Sequence, residues 1–354
     1  MQNIVAWVRL AFTPKIGPRT FAKLIKQYKT PANVFENTFD IKRRYNLELQ
    51  FPSLTEIEDS ISACYDFGAK IILSSDIEYP ELLKETEGYP PVLFAKGNIS
   101  LLNKDKISII GTRNSSIHGE KLTKQIATDV GKNGLIVVSG LARGIDAAAH
   151  YGSLETGTIG VIAGGINCIY PRENEKLQNA LYEKGLVITE NLINTIPVPK
   201  NFPRRNRIIS GISRGVLVIE AMKNSGTMIT ANYALEQGRD VFAVPGFPLD
   251  PRAYGTNFLL KNGAILVRDA QDILKEFEYE TKTNVELEEY LVNTNITEEF
   301  TIQNQILSKL SNVPTNIEEL FIVSNLSTTD FNRALIELEI LGKVLRQGNR
   351  ISLI

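Results

Sequence analysis

The sequence predicts an α/β protein: a Rossmann-like, doubly wound, mostly parallel sheet, with a small helical domain before it and a winged helix after it. Three observations predict this. Short aliphatic strings recur through the middle of the chain, at 107–110, 135–138, 158–162, 186–189, 216–219, 241–244 and 265–267. Stretches of helical spacing separate them, so strand, loop and helix alternate in the order that gives parallel strands joined by right-handed crossovers. Most of the strings are apolar throughout instead of alternating, as expected for strands covered on both faces.

The remaining regions follow in chain order. Residues 1–64 place apolar side chains at helical spacing (Val5, Val8, Leu10; Phe21, Leu24, Ile25) and contain no strand-like run, which predicts a small helical domain. Residues 65–276 carry the sheet. The stretch 277–300 turns acidic, with Glu278, Glu280, Glu286, Glu288, Glu289, Glu298 and Glu299 and little apolar periodicity, and reads as a linker. Residues 301–354 give helices at 301–310, 317–323 and 328–341, then a hairpin of 344–346 with 351–353 turning at Gly348-Asn349. That order fits a winged helix.

Composition narrows the function. The chain has 354 residues, 43% of them hydrophobic and 22% charged, as in ordinary globular proteins. Its net charge of −1 supplies no general attraction for nucleic acid, so any DNA affinity must come from locally clustered Lys and Arg. Two cysteines, Cys64 and Cys168, and two histidines, His118 and His150, are too few for a disulfide framework or a metal cluster; no metal and no cofactor is expected. No apolar run approaches the ~20 residues that span a bilayer, and Arg9 interrupts the apolar start, unlike a signal peptide. A cytoplasmic protein with no membrane partner is expected.

Ligands of open α/β sheets sit where strand ends feed helix N-termini. Four such loops here are rich in Gly, Ser, Asn and Arg: Gly111-Thr112-Arg113-Asn114-Ser115-Ser116; Ser139-Gly140-Leu141-Ala142-Arg143-Gly144-Ile145-Asp146; Ala163-Gly164-Gly165-Ile166-Asn167 running on to Tyr170-Pro171-Arg172-Glu173-Asn174-Glu175-Lys176; and Lys223-Asn224-Ser225-Gly226-Thr227. Glycines admit a close backbone approach, and free helix N-terminal amides favour anions. Several phosphate seats along one sheet edge suit a polymer better than a small ligand. Arg113, Arg143, Arg172 and Lys176 sit in these loops, and the run Phe202-Pro203-Arg204-Arg205-Asn206-Arg207 precedes an apolar helix. Arg205 and Arg207 can equally brace neighbouring loops. Tyr170, Phe202 and Phe247 are candidates to stack bases, or are core.

Enzyme motifs are missing from the same loops. The first carries one Gly before Arg113, so the G-x-G-x-x-G fingerprint is absent, and so is Walker A. Ser139 and Ser225 have no evident base, since only His118 and His150 could serve; His150, one turn after Asp146, reads as a packing or capping residue.

In this order the motifs resemble the DprA/Smf DNA-processing family: Ile110-Gly111-Thr112-Arg113, the run from Ser139 to His150, Tyr170-Pro171 with Asn174 and Leu177, Arg205-Asn206-Arg207-Ile208-Ile209-Ser210-Gly211, Ser225-Gly226-Thr227-Met228-Ile229-Thr230-Ala231, the run from Gly238 to Gly246, and Gly255-Thr256-Asn257. The resemblance implies a protein that binds single-stranded DNA, protects incoming strands in natural transformation and helps load RecA; the missing enzyme motifs predict that it has no catalytic activity. Arg113 and Lys176 match the family's DNA-contacting Arg and Lys, with Arg205, Asn206, Arg207, Ser225, Gly226 and Thr227 at the same groove. It also implies a homodimer formed at the far end of the sheet, where Leu235, Leu260 and Leu266 lie; each of these can equally be core.

The residues also bear on two other readings. The core is also similar to that of the lysine-decarboxylase-like phosphoribohydrolases, whose P-G-G-x-G-T-x-x-E loop corresponds to Asn224–Thr230 here. Thr230 stands at the catalytic Glu, and a hydroxyl cannot replace a carboxylate that stabilises an oxocarbenium-like centre. A winged-helix regulator would need Lys, Arg, Asn or Gln on the third helix to read bases. That helix offers Asp330, Asn332 and Arg333, then Glu337 and Glu339; Lys343, Arg346 and Arg350 lie on the wing. A protein-contact or auxiliary role is expected for it. Near the N-terminus, Thr13-Pro14-Lys15-Ile16-Gly17-Pro18-Arg19-Thr20-Phe21-Ala22 resembles half of a helix-hairpin-helix, with Lys15 in place of one glycine, and can equally be a simple packed helix turn.

Overall fold

The computed structural model describes residues 2–45, 49–277, 302–311, 313–324 and 326–353. The expected linker 277–300 lies outside them, apart from Phe277. The chain forms two compact units, 1–282 and 283–354.

Five helices open the first unit: α1 (Gln2–Ala11), α2 (Pro18–Tyr28), α3 (Pro31–Glu36), α4 (Thr38–Tyr45) and α5 (Leu54–Asp66). Local chemistry sets their starts. Pro18 and Pro31 sit at first-turn positions where a missing N–H costs nothing, and Ser53 with Glu56 forms a reciprocal capping box on α5. The helices bury Trp7, Val8, Leu10, Phe21, Leu24 and Ile57 in one cluster with Ile71, Val92, Phe94 and Val187 of the sheet. They therefore cover one face at its edge and do not close a separate core.

The sheet has nine strands: β1 (Lys70–Leu73), β2 (Val92–Gly97), β3 (Lys106–Ile110), β4 (Ile136–Ser139), β5 (Thr158–Val161), β6 (Leu186–Thr189), β7 (Gly215–Val218), β8 (Asp240–Ala243) and β9 (Ile265–Leu266). Their spatial order is β1-β2-β6-β5-β4-β3-β7-β8-β9. The seven strands predicted from aliphatic strings are β3 to β9, all parallel. β1 and β2, which the sequence analysis did not name, add an antiparallel pair against β6. Helices α6 (Glu81–Lys84), α7 (Ile117–Lys132), α8 (Ile145–Ser153), α9 (Glu175–Lys184), α10 (Asn201–Gly211), α11 (Gly226–Glu236), α12 (Tyr254–Lys261) and α13 (Ala270–Glu276) lie between and after the strands. Wholly buried aliphatics such as Ile107, Val137, Ile159, Val187 and Leu217 fill two layers. Strand order reverses between β3 and β7, and a crevice opens at such a switch point, outside the strands' carboxyl ends.

In the second unit α14 (Ile302–Leu307), α15 (Ile317–Ser324) and α16 (Thr328–Ile340) enclose Ile306, Leu320, Phe331, Leu335 and Leu338. β10 (Thr315–Asn316), β11 (Val344–Gln347) and β12 (Arg350–Leu353) make an antiparallel sheet with β12 in the middle. This is the expected winged helix. On α16, Arg333 is paired with Glu337 at 3.0 Å, and Arg346 of β11 meets Glu339 at 3.6 Å. Among the described residues no helix is long and apolar enough to cross a membrane.

Candidate nucleic-acid interface

Two cavities of about 600 and 500 Å³ lie at the carboxyl ends of the strands. Both are lined by Arg113, Ala142, Arg143, Phe202 and Arg205, so they are two reaches of one groove. One reach runs to Ala163, Gly164 and the 170–173 loop; the other runs past Gly111 to Met222, Ser225, Gly226 and Thr230. The groove thus crosses the ends of β5, β4, β3 and β7, over the switch point.

Its floor is built around Asp146. The buried carboxylate accepts from the amides of Gly140 (3.2 Å) and Ala142 (3.4 Å) and also engages the Gly111 backbone. Burial raises its pKa, opposed by the neighbouring Arg205 charge. Arg205 is 6% exposed; it donates to the Gly140 carbonyl, to Val161 O at 2.6 Å and to Asn206 Oδ1 at 3.1 Å. Burial pulls its pKa down to about 10, which leaves it cationic at neutral pH. Arg205 therefore lines the groove as the brace that the sequence allowed, tying α10 to the ends of β4 and β5. Gly144 makes the turn into α8 at φ +73°, and a Cβ there would come within 2.5 Å of Thr112 O; only glycine lets the Arg113 and Arg143 loops approach so closely.

Two of the anion seats expected from the loops are filled from within the protein. Glu220, just beyond β7, accepts from Ser116 N at 3.0 Å and from the Ser116 hydroxyl, which also caps α7 through Gly119 N at 2.8 Å. Asp146 takes the amides of the β4 loop in the same way. Asp146 stands at the end of its predicted loop with no role read for it, and Glu220 lies outside the predicted loops; an acid at the mouth of a glycine-rich loop is the signal for both. The start of α11 differs: no side chain caps it at Ser225, the Ser225 hydroxyl has no protein partner among the described residues, and Gly226 is exposed.

Cations and rings carry the surface of the groove. Arg113 is exposed and lies over the Phe202 ring at 5.5 Å, with Arg205 at 6.0 Å from the same ring. Phe202 in turn meets Tyr170 at 5.5 Å between centroids, tilted by 56°. Arg143 and Arg172 are exposed on the rim, Arg143 facing Glu173 at 3.5 Å. Lys176 is exposed in the first turn of α9 and lines neither reach.

The other expected residues divide. Gly140, Asn206, Ser225, Gly226 and Thr227 line the groove, and Asn206 also donates to Gly226 O at 3.3 Å. Ser139 is wholly buried and donates to Ile109 O at 2.6 Å. Asn174 is buried and tethers its loop to the carbonyls of Leu141 (2.9 Å) and Ala142 (3.0 Å). Arg207 is not brought to the groove: it pairs with Glu190 and borders a separate cavity with Tyr233 and Gln237. Phe247 is exposed on the β8–α12 loop.

Candidate chemistry is engaged elsewhere or suppressed. Burial raises the Cys168 thiol's pKa, which keeps it protonated. His150 is fully buried on α8 with Nδ1 at 2.7 Å from Thr158 Oγ1, and burial lowers its pKa to about 3. Thr230 is buried and donates to Gly226 O at 3.3 Å. Among the described residues no cluster of His, Cys, Asp and Glu could hold a metal ion.

Three family models match the chain. DNA recombination-mediator protein A matches residues 70–278, the DprA-like N-terminal HHH domain matches 1–63, and the DprA winged helix domain matches 298–350. The chain is 42% identical over 233 residues to DNA processing protein DprA of Bacillus subtilis, covering 65% of this chain and 77% of the relative. It is 38% identical over 257 residues to protein Smf of Escherichia coli, covering 72% and 68% respectively. Among solved structures, DNA processing protein A from Streptococcus pneumoniae is similar with a TM-score of 0.61 at 35% identity, over 75% of this chain and 88% of the other. DNA processing protein A from Helicobacter pylori, described for its unique single-stranded DNA binding mode, is similar with a TM-score of 0.55 at 28% identity, over 60% and 98%.

Proposed function

Because this chain belongs to the DNA recombination-mediator protein A family, we propose that it binds single-stranded DNA along the β5–β7 groove as a recombination mediator, with no reaction of its own. One observation carries this reading: the Arg113–Phe202–Tyr170 strip, where a cation and two rings lie in sequence along a groove that spans four strand ends. Cations for phosphates and ring faces for bases are what sequence-indifferent single-strand binding requires. The similarity to the H. pylori protein points the same way. Non-catalysis is supported by Thr230 at the position where a hydrolase of this core needs Glu, and by the internal bonds of Ser139 and His150.

The finer parts follow from family resemblance: delivery of the bound strand to RecA, protection of incoming DNA in transformation, and a homodimer; the proposed cytoplasmic location follows from the sequence, which has no apolar run long enough to span a bilayer and no signal-peptide pattern at its start. For the dimer, Leu235 and Leu266 are 59% and 47% exposed, whereas Leu260 packs against the core. The groove contacts proposed are Arg113, Arg143, Arg172, Asn206 and Ser225 to Thr227, with Lys176 from resemblance and Arg205 as their support.

The test is binding of mixed-sequence oligonucleotides, single- and double-stranded, across a salt series. Salt-sensitive, sequence-indifferent preference for single strands is expected; duplex affinity equal or stronger would overturn the proposal. The RecA part predicts a shorter lag in RecA filament growth on coated single strands, and an unchanged lag would remove it.

A further inference from the structure

The loop that precedes α11 borders a second, exposed aromatic surface. The loop 219–225 has the groove on one side, where Met222 and Ser225 line it. On its other side Lys223 Nζ lies 5.3 Å over the Tyr254 ring. Beyond it, the β8–α12 loop holds Phe247 57% exposed and Tyr254 46% exposed. Gly246 sits so close to Ala253 that a Cβ would come within 2.6 Å of the alanine's, which brings the backbone positions next to the two rings side by side.

This loop is held rigidly while its rings stand in water. Asn257 donates to Gly246 O at 2.9 Å and accepts from Gly246 N at 3.2 Å. Ala221 N donates to Arg252 O and Gly255 N to Ala221 O, each at 2.7 Å, fastening the loop to the groove's own edge. Arg252 neutralises Asp250 through two side-chain bonds of 3.0 and 2.9 Å. An aromatic surface fastened to the loop that lines the cationic groove, beside an exposed lysine, matches an anionic polymer with planar side groups.

We propose that Phe247 and Tyr254, with Lys223, form a second base-stacking station that receives single-stranded DNA as it leaves the groove past the start of α11. The proposal rests on the groove being a single-strand site, and its test separates the two. Wild type, Phe247→Ala/Tyr254→Ala and Arg113→Ala are titrated with a short oligothymidylate of about 5 nucleotides and a long one of about 20. The double variant should lose about tenfold in affinity for the long oligonucleotide, removing its advantage over the short one, whereas Arg113→Ala should weaken both. Phe247→Trp should report the station directly by quenching on the long oligonucleotide, since the chain's one tryptophan, Trp7, is buried among the N-terminal helices. If wild type binds neither oligonucleotide, the groove reading fails. If it binds both and the double variant keeps the wild-type ratio of long to short affinity, the station alone is refuted. A double variant with that ratio intact but with altered sedimentation would make the surface a protein contact and also overturn the proposal.

Discussion

Replacing Arg113 with alanine tests the groove most directly, because salt dependence counts phosphate contacts. Arg113, Arg143 and Arg172 are exposed guanidiniums lining the groove. If each neutralises one phosphate of a single strand, log K falls with log salt at a slope of about −2, from roughly −0.7 per contact. Affinity then drops about 20-fold between roughly 50 and 200 mM salt. Arg113→Ala should flatten the slope to about −1.4 and, through one lost charge-assisted hydrogen bond of about 1.5 kcal/mol, weaken binding about tenfold. Arg207→Ala is the internal contrast: its guanidinium faces Glu190 and does not line the groove, so its slope should stay at the wild-type value. Anisotropy titrations of a labelled oligothymidylate at several salt concentrations measure both. Parallel slopes for wild type and Arg113→Ala, or equal flattening by Arg207→Ala, would refute the placement of the strand.

Acidification should act through His150. Burial lowers its pKa from 6.5 to about 3, so between those values the unfolded chain binds a proton that the folded chain excludes, and stability falls as pH falls. Lowering the pH from about 6.5 to 5 should remove between about 1 and 2 kcal/mol through this residue; urea unfolding of wild type and His150→Leu gives the difference, and an equal pH slope in both would contradict the assignment. For the proposed dimer, Leu235→Glu combined with Leu266→Glu places charges on exposed positions where the fold tolerates them, and sedimentation should show the protein shifting to monomer. A variant that sediments like wild type would put the interface elsewhere.

The fold was legible because parallel strands buried on both faces leave aliphatic strings, and β3 to β9 all carry one. β1 and β2 carry the same kind of signal, with Ile71 to Leu73 and Val92 to Ala95 all buried; what hid them is their setting, a short antiparallel pair outside the strand–loop–helix alternation that marks the parallel strands. The site was legible as a set of loops, but not in the role of each member. Ser139, Asn174 and Arg205 occur in polar motifs, yet they spend their hydrogen bonds on carbonyls inside the protein, and sequence spacing cannot tell an inward donor from an outward one. Arg205 and Arg207 are two residues apart on α10, about 200° around a helix, which sends one to the groove and the other to Glu190.

The internal carboxylates bear on why such a groove would suit a mediator. A nucleotide-binding enzyme of this architecture gathers phosphate on free amides at a helix start, giving one deep and specific seat. Here Glu220 occupies the amide of Ser116, and Asp146 those of Gly140 and Ala142. A phosphate approaching those loops meets a carboxylate already in place, so a compact triphosphate gains little from them. What remains outward is distributed: the uncapped helix start at Ser225, separate guanidiniums on the rim, and ring faces between them. Each contact of that kind contributes modestly and is weakened by salt, and their sum grows with the length of strand engaged. In the proposed function this is an advantage. A strand held by many small contacts can be taken over a few nucleotides at a time, with no single strong bond to break, as transfer to another protein requires.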